Sequence, residues 1–396
     1  MHQERVTAII GGGPGGLLAA LLLAKNNRRV RLYERNSAVA RKLLLSGGGQ
    51  CNLTNLAPVD ELITHYGANG EFLKAAFTLF PPTEVLKLCA SLGLPTLVAE
   101  EGRVFPASKK ASDVAKALYE GCLKAGVEFL LNTRVEKVRF DGQGFHLNES
   151  DKAELLLIAT GGVSYPHTGS TGDGLIFSQT LGHTIVTTHP ALSSVKLINS
   201  NLSECSGITI EKAALQFNGM QANGSLLITH QGLSGPLILN ASRYFARRQP
   251  VKLSFLSPIE GVEERLKTLC RQKGASQIAS VVHLLGLPTR LVDWIFKTGE
   301  INGRQKAAEV SKRTLKELVT LITGNELVLA VKEGMVSAGG VALDTVEPRT
   351  MESKLCRGLF FAGEVLDVDG DCGGYNLQAA FATAFCAAKG IVQLYP

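Results

Sequence analysis

Between Val6 and Glu34 the chain reads V-T-A-I-I-G-G-G-P-G-G, then a long apolar run, then R-V-R-L-Y-E. Ala8, Ile9 and Ile10 have the unbroken apolar character of a strand buried on both faces. Gly11, Gly13 and Gly16 follow in G-x-G-x-x-G spacing. Leu17–Lys25 is Ala/Leu-rich and predicts a helix, and Val30–Tyr33 predicts a second strand. Glu34 ends that strand, 18 residues beyond Gly16. Each part has a physical task. The first glycine makes the tight turn, the second lets backbone approach a pyrophosphate, and the third lets the helix close on the strand. The helix N-terminus offers free N–H groups and a positive dipole end to phosphate. An acid at the end of the second strand accepts hydrogen bonds from a ribose. The stretch therefore predicts a dinucleotide site, and by itself leaves NAD(P) and FAD open.

At 396 residues the chain has room for two or three domains. Residues 1–5 lack the layout of a leader, and the longest uninterrupted apolar run, Leu17–Ala24, is too short to span a bilayer. A cytoplasmic protein is expected. Eight cysteines include no C-x-x-C pair, which argues against a zinc ribbon or a redox disulfide. The formal charge of +6 is spread over small clusters such as Lys109-Lys110, Arg247-Arg248 and Lys312-Arg313. These read as solvated surface, and no nucleic-acid partner and no membrane are expected.

Past Glu34, Arg41 and Lys42 could neutralise phosphate. Ser46–Asn52, with Gly48 and Gly49, forms a second glycine-rich turn able to direct N–H groups at an anion or a ring edge. Helices are expected over Leu73–Phe80, Thr83–Gly93 and Ser112–Ala125, and a hairpin over Pro95–Phe105. Val127–Leu131, Val135–Phe140 and Phe145–Asn148 predict strands, as does Leu155–Ile158, which runs into A-T-G-G. A change of character at about Pro190 predicts an antiparallel β domain over 191–257 and 323–334. A helical insert over 258–322 interrupts it. The cofactor domain is then discontinuous, 1–190 with 335–396. Gly358–Ala362 predicts a strand ending in A-G-E. After it come V-L-D-V-D-G-D-C-G-G-Y-N-L-Q and a final helix over Ala379–Val392. A strand ending in A-G-acid, then a glycine turn into a last helix, closes two-dinucleotide-binding-domain flavoproteins on the ribityl chain and flavin. That pattern selects FAD. Glu364 would meet ribityl or phosphate groups. Gly374 would let backbone lie against the ring, and the helix dipole would face the reduced pyrimidine edge.

The set R-K-x-x-x-S-G-G-G-x-C-N, T-H-x-G-L-S-G-P, T-M-E-S-K and A-G-E-V-L-D-V-D-G-x-x-G-G-Y-N closely resembles a bacterial FAD-dependent oxidoreductase family. This is the family of aminoacetone oxidase-like and 3-dehydro-bile acid delta-4,6-reductase-like proteins, and the resemblance runs over essentially the whole chain. It implies an α/β fold: a Rossmann-type FAD-binding domain with an inserted antiparallel β domain and a helical subdomain. It also implies FAD held by Gly13, Pro14, Gly15, Glu34, Arg35, Arg41, Lys42, Ser46, Val135, Thr160, Gly161, Gly363, Asn376 and Leu377. One departure is Gln50, where the family usually carries Arg; the change removes a cation near cofactor or substrate.

FAD would be non-covalent, since no His, Cys or Tyr stands in an attachment motif. Flavin carries the redox chemistry, and protein supplies position and electrostatics. His230, in a glycine-rich loop, and Tyr375, beside the flavin turn, are candidates for proton transfer. Cys51 and Cys372 sit in the two flavin loops and read as packing residues. No metal set, nucleophilic triad or carboxylate pair stands out. Three functions stay open: reduction of an activated carbon–carbon double bond of a small molecule with NAD(P)H, an oxygen-using amine oxidase, and a flavoprotein that binds RNA or a partner. Only one complete G-x-G-x-x-G is present, so a nicotinamide would bind transiently.

Overall fold

The computed structural model describes residues 6–396; residues 1–5, read above for a leader, lie outside the described residues. Two compact units emerge, residues 1–189 with 335–396, and residues 190–334.

The first unit is built on a five-stranded parallel sheet. Its strands are β1 (Val6–Ile10), β2 (Arg29–Tyr33), β3 (Glu128–Leu130), β4 (Leu155–Ile158) and β5 (Leu359–Phe361), in the spatial order β5-β4-β1-β2-β3. Every pairing is parallel. All four residues of β4 and the last four of β1 are buried, as covered parallel strands require. Helix α1 (Pro14–Lys25) follows β1 and is buried along most of its length. The chain's last helix, Tyr375–Leu394, packs across α1. A Cβ on Gly15 would stand 3.3 Å from the Ala380 carbonyl oxygen, so Gly15 sets how closely the two helices cross. By length and composition Tyr375–Leu394 could cross a bilayer, yet 67% of its apolar window is buried within the protein.

Several elements depart from expectation. The last helix begins at Tyr375, four residues before Ala379, because Gly374 at φ +100 supplies the left-handed N-cap. The strand expected from Val135 begins only at Val138. Ile185–Ala191 and Val336–Val341 form a two-stranded sheet that the sequence did not suggest. The Pro95–Phe105 hairpin appears as Thr96–Val98 paired with Arg103–Pro106, and Thr54–Asn55 adds a third strand.

In the second unit six antiparallel strands close into a barrel. Around it run Val195–Leu197, Gly232–Ser234, Met220–Thr229, Thr209–Phe217, Arg248–Ser254 and Asn325–Val331, which pairs back with the first. The turn Asn218-Gly219 takes positive φ at both residues, 48° and 75°, the two-residue turn that matches strand twist. Helices Val262–Gln272, Ile278–His283, Thr289–Thr298 and Lys312–Thr323 share one hydrophobic core with the barrel, Trp294 meeting Phe255 edge-on at 6.1 Å.

Candidate functional site

The β1–α1 turn brings backbone against backbone. A Cβ on Gly16 would lie 2.0 Å from the Gly11 carbonyl oxygen, and one on Gly11, at φ +110, would lie 2.4 Å from the Ala159 oxygen. Helix therefore sits on strand with no room for a methyl group. Gly13 is different: its nearest obstruction is that same Ala159 oxygen, 4.0 Å away. No side chain caps α1, and no acid lies in its first turn. Its first-turn N–H groups are thus without a side-chain acceptor, an end that suits an anion.

Glu34 is buried and already engaged. Its Oε2 accepts from the Gly12 N–H at 2.9 Å; its Oε1 accepts from the Asn36 N–H at 2.9 Å and Asn36 Nδ2 at 2.7 Å. A carboxylate has about four acceptor sites, so room for a ribose hydroxyl remains, and the same bonds brace the glycine turn. Glu34→Ala is therefore expected to weaken FAD binding by about 1.5–3 kcal/mol and to lower the stability of the FAD-free protein by about 1–3 kcal/mol. Titration of apoprotein with FAD, beside urea unfolding, separates the two. Unchanged FAD affinity would remove Glu34 from the ribose.

Arg35 is held by Thr171 and Asp173, and Arg41 by Asn36 Oδ1 at 2.7 Å. Val135 is 3% exposed, and neither its N–H nor its carbonyl bonds to any described residue. Thr160 Oγ1 stands against Gly174, the second residue of helix Asp173–Thr180, and Gly161 turns at φ +73.

The second glycine loop takes three left-handed residues in succession, Gly47, Gly48 and Gly49, with Cys51 also at positive φ. Ser46 Oγ donates to the Leu43 carbonyl. Nothing lies within 4 Å of a Cβ on Gly48. Burial pushes the Cys51 thiol up to about 12, so it stays protonated at neutral pH and serves packing. Lys42 does not stand free for phosphate. Its ammonium pairs with Glu364 at 2.6 Å and also donates to Ser164 Oγ. Glu364 Oε1 in turn accepts from Ser337 N–H at 2.9 Å. Sequence reading singled out neither serine, since nothing local marks them. Gly363, at φ +74, donates its N–H to Thr383 Oγ1.

The third part is the turn before the last helix. Asn376 braces it, its side chain accepting from Gly370 N–H and donating to Gly370 O, both at 2.8 Å. That helix again has no side-chain cap and no acid in its first turn, and Gln378 is the first residue to donate back, to Gly374 O. The N–H groups of Asn376 and Leu377 thus lack intrahelical partners. A Cβ on Gly374 would strike Thr54 backbone at 2.6 Å and Asn52 Oδ1 at 2.7 Å. The glycine is required by contact with protein, where the sequence suggested contact with a ring. It follows that Gly374→Val would damage local packing as well as any flavin contact. Asn52 Oδ1 is itself buried without a partner, a polar atom left for a donor that the chain does not provide.

Tyr375 is 6% exposed. His65, which sequence reading missed, stacks on its ring at 4.0 Å and bonds Asp371 through Nδ1 at 2.9 Å. Burial, then Asp371, pushes the Tyr375 phenol up to about 12. His230 belongs to the second unit, exposed in the turn between strands Met220–Thr229 and Gly232–Ser234, and its ring makes no hydrogen bond among the described residues.

Two uncapped helix N-termini, an acid at the end of β2, a free buried backbone at Val135 and an orphaned Asn52 oxygen suit an adenine–pyrophosphate–flavin molecule. The HI0933-like protein Rossmann domain matches residues 5–390. The chain belongs to the HI0933-like Rossmann family. It is an FAD-dependent oxidoreductase of that family. It is 32% identical over 379 residues to a ribosomal RNA dihydrouridine synthase of Haemophilus influenzae, covering 91% of this chain and 92% of the relative. It is 29% identical over 378 residues to a 3-dehydro-bile acid delta(4,6)-reductase of Clostridium scindens, with the same coverage. In fold it is similar to the 3-ketosteroid-delta4-(5alpha)-dehydrogenase of Rhodococcus jostii RHA1. The TM-score is 0.53 at 14% identity, over 98% of this chain and 97% of that one.

Proposed function

We propose that this HI0933-like oxidoreductase reduces a carbon–carbon double bond conjugated to a carbonyl, with NAD(P)H as the transient electron donor. The observation that carries the reading is the closing turn. Its uncapped helix N-terminus can stabilise negative charge on a reduced ring, and a buried, protonated phenol follows at once. Both relatives named above support it: dihydrouridine is uridine with one ring double bond saturated, and a delta(4,6)-reductase removes double bonds. FAD, when bound, would supply the two-electron hydride chemistry that links NAD(P)H to the double bond.

The chain's own residues do the rest. The first turn of α1 and Glu34 would hold the pyrophosphate and ribose, with Gly11, Gly13, Pro14, Gly15 and Gly16 shaping that turn. Val135 would offer its backbone to the adenine, and the Asn376 and Leu377 N–H groups would meet the pyrimidine edge. Tyr375 delivers a proton to the second carbon and is reprotonated from solvent.

Tyr375→Phe is expected to slow anaerobic reoxidation of the reduced enzyme by a conjugated enone about 10²–10⁴-fold, with FAD content unchanged. Because the phenol is held up to about 12, it stays protonated through pH 10, and the wild-type rate should show no fall there from this group. Mass spectrometry of the product should show two added hydrogens. A Tyr375→Phe rate equal to wild type would remove the tyrosine from proton transfer, and a substrate recovered unsaturated would remove the reductase reading.

A further inference from the structure

Asn52 Oδ1 is buried beside the closing turn, with no hydrogen-bond partner among the described residues. The backbone on either side of it is fixed. Before it, Cys51 is held at φ +62, its N–H donating to Ser46 O at 3.0 Å. After it, Leu53 is fully buried and donates its N–H to Val104 O at 2.7 Å. The segment is then stapled to the start of the last helix. Thr54 Oγ1 donates to Gln378 Oε1 at 2.6 Å, and Asn55 Nδ2 donates to Gly373 O at 3.4 Å. Gly374 lies within that staple, where a Cβ would come to 2.7 Å from Asn52 Oδ1. One place therefore holds an unanswered acceptor and an uncapped helix N-terminus. A buried acceptor without a donor costs about as much as a lost hydrogen bond, and the staple keeps this one in position to be answered from outside the chain.

The pyrimidine edge of an oxidised isoalloxazine presents acceptor, donor, acceptor: O2, N3–H, O4. The N–H groups of Asn376 and Leu377 can answer oxygens, but N3–H needs an acceptor. Asn52 Oδ1 is an acceptor at that turn with nothing else to bind. N3 keeps its proton when the ring is reduced, whereas negative charge gathers at N1 and O2. The two kinds of contact thus differ in effect. Backbone donors favour the reduced ring, and an acceptor for N3–H serves both redox states alike.

We infer that Asn52 Oδ1 accepts the N3–H of the isoalloxazine and so fixes how the pyrimidine edge lies at the start of the last helix; this rests on the placement of that edge at the closing turn in the reading above. The test is a cycle between protein and cofactor. Full-length apoprotein of wild type, Asn52→Leu and Asn52→Asp is titrated with FAD and with 3-methyl-FAD, whose N3 carries a methyl group in place of the proton. Wild type should hold FAD at least about tenfold more tightly than 3-methyl-FAD, the worth of one buried hydrogen bond. Asn52→Leu keeps the side chain's size and removes the acceptor. It should bind FAD about tenfold more weakly and lose most of the preference. Asn52→Asp still offers an acceptor and should retain the preference, which keeps the test open even if Asn52→Leu does not fold. The midpoint potential of flavin bound to Asn52→Leu should match wild type, because N3–H is present in both redox states; a general disturbance of the turn would move it. A preference that survives Asn52→Leu, disappears with Asn52→Asp, or falls only together with a shifted potential overturns the role of Asn52 and leaves the closing-turn reading in place. Equal binding of the two cofactors by wild type overturns both. The expected pattern in a protein that reduces no enone supports the role of Asn52 and overturns the reductase reading instead.

Discussion

Gly16→Val should give a chain that retains almost no FAD and has lost about 3 kcal/mol or more of stability. The first Cβ atom alone would stand 2.0 Å from the Gly11 carbonyl oxygen and 3.5 Å from Ala159 Cβ. Overpacking costs about 1–3 kcal/mol where side chains can shift, and more where they cannot. Here the obstruction is backbone, fixed by the pairing of β1 with β4, so the helix must leave the strand. Once it does, the N–H groups meant for the pyrophosphate move with it. Gly48→Ala gives the contrast. Gly48 is left-handed at φ +64 but has nothing within 4 Å of its Cβ, so only the conformational penalty of about 1–2 kcal/mol applies. Flavin absorbance and thermal midpoint of the two purified variants measure this. A Gly16→Val protein with wild-type colour and midpoint would mean that α1 does not close on β1 as described.

Lys42→Met should cost about 2 kcal/mol of stability, and the double variant Lys42→Met, Glu364→Gln should recover much of it. Lys42 and Glu364 side chains are 23% and 19% exposed and meet at 2.6 Å. Breaking a fully buried pair costs about 3–5 kcal/mol because one charge is left stranded. Exposed pairs are worth about 0–1 kcal/mol, and this one lies between. After Lys42→Met, Glu364 keeps the Ser337 N–H but loses its counter-charge. Replacing both charges removes the stranded group, so the two substitutions should not add. Urea unfolding of the four proteins without FAD reads the coupling. Strict additivity would show that the pair contributes nothing as a pair.

The β1–α1–β2 unit was legible because its signals are local: an apolar run, three glycines at fixed spacing, an acid at the strand end. An antiparallel β domain and the helices after Ile259 were legible in outline, but barrel strand Gly232–Ser234 falls in the stretch read as a glycine-rich loop around His230. What stayed hidden depends on partners far apart in sequence. Gly374 looked like a ring contact, and its need for glycine comes from Thr54 and Asn52. His65 carries no motif, and its neighbours Asp371 and Tyr375 arrive from the other end of the chain. Lys42 reads as a phosphate ligand until Glu364 is placed beside it. Strand Val336–Val341 is V-S-A-G-G-V, too rich in small residues and glycine to signal a strand, and it forms because Gly339 admits the Thr187 carbonyl.

The most direct test of the account is anaerobic stopped-flow mixing of the purified yellow protein, first with NADPH or NADH, with an amine in a parallel run, and then with a conjugated enone. A nicotinamide is expected to bleach the flavin, the amine is not, and the enone is expected to restore the oxidised spectrum without oxygen. Bleaching by the amine alone, with colour returning only when oxygen is admitted, would contradict this and make the protein an oxidase.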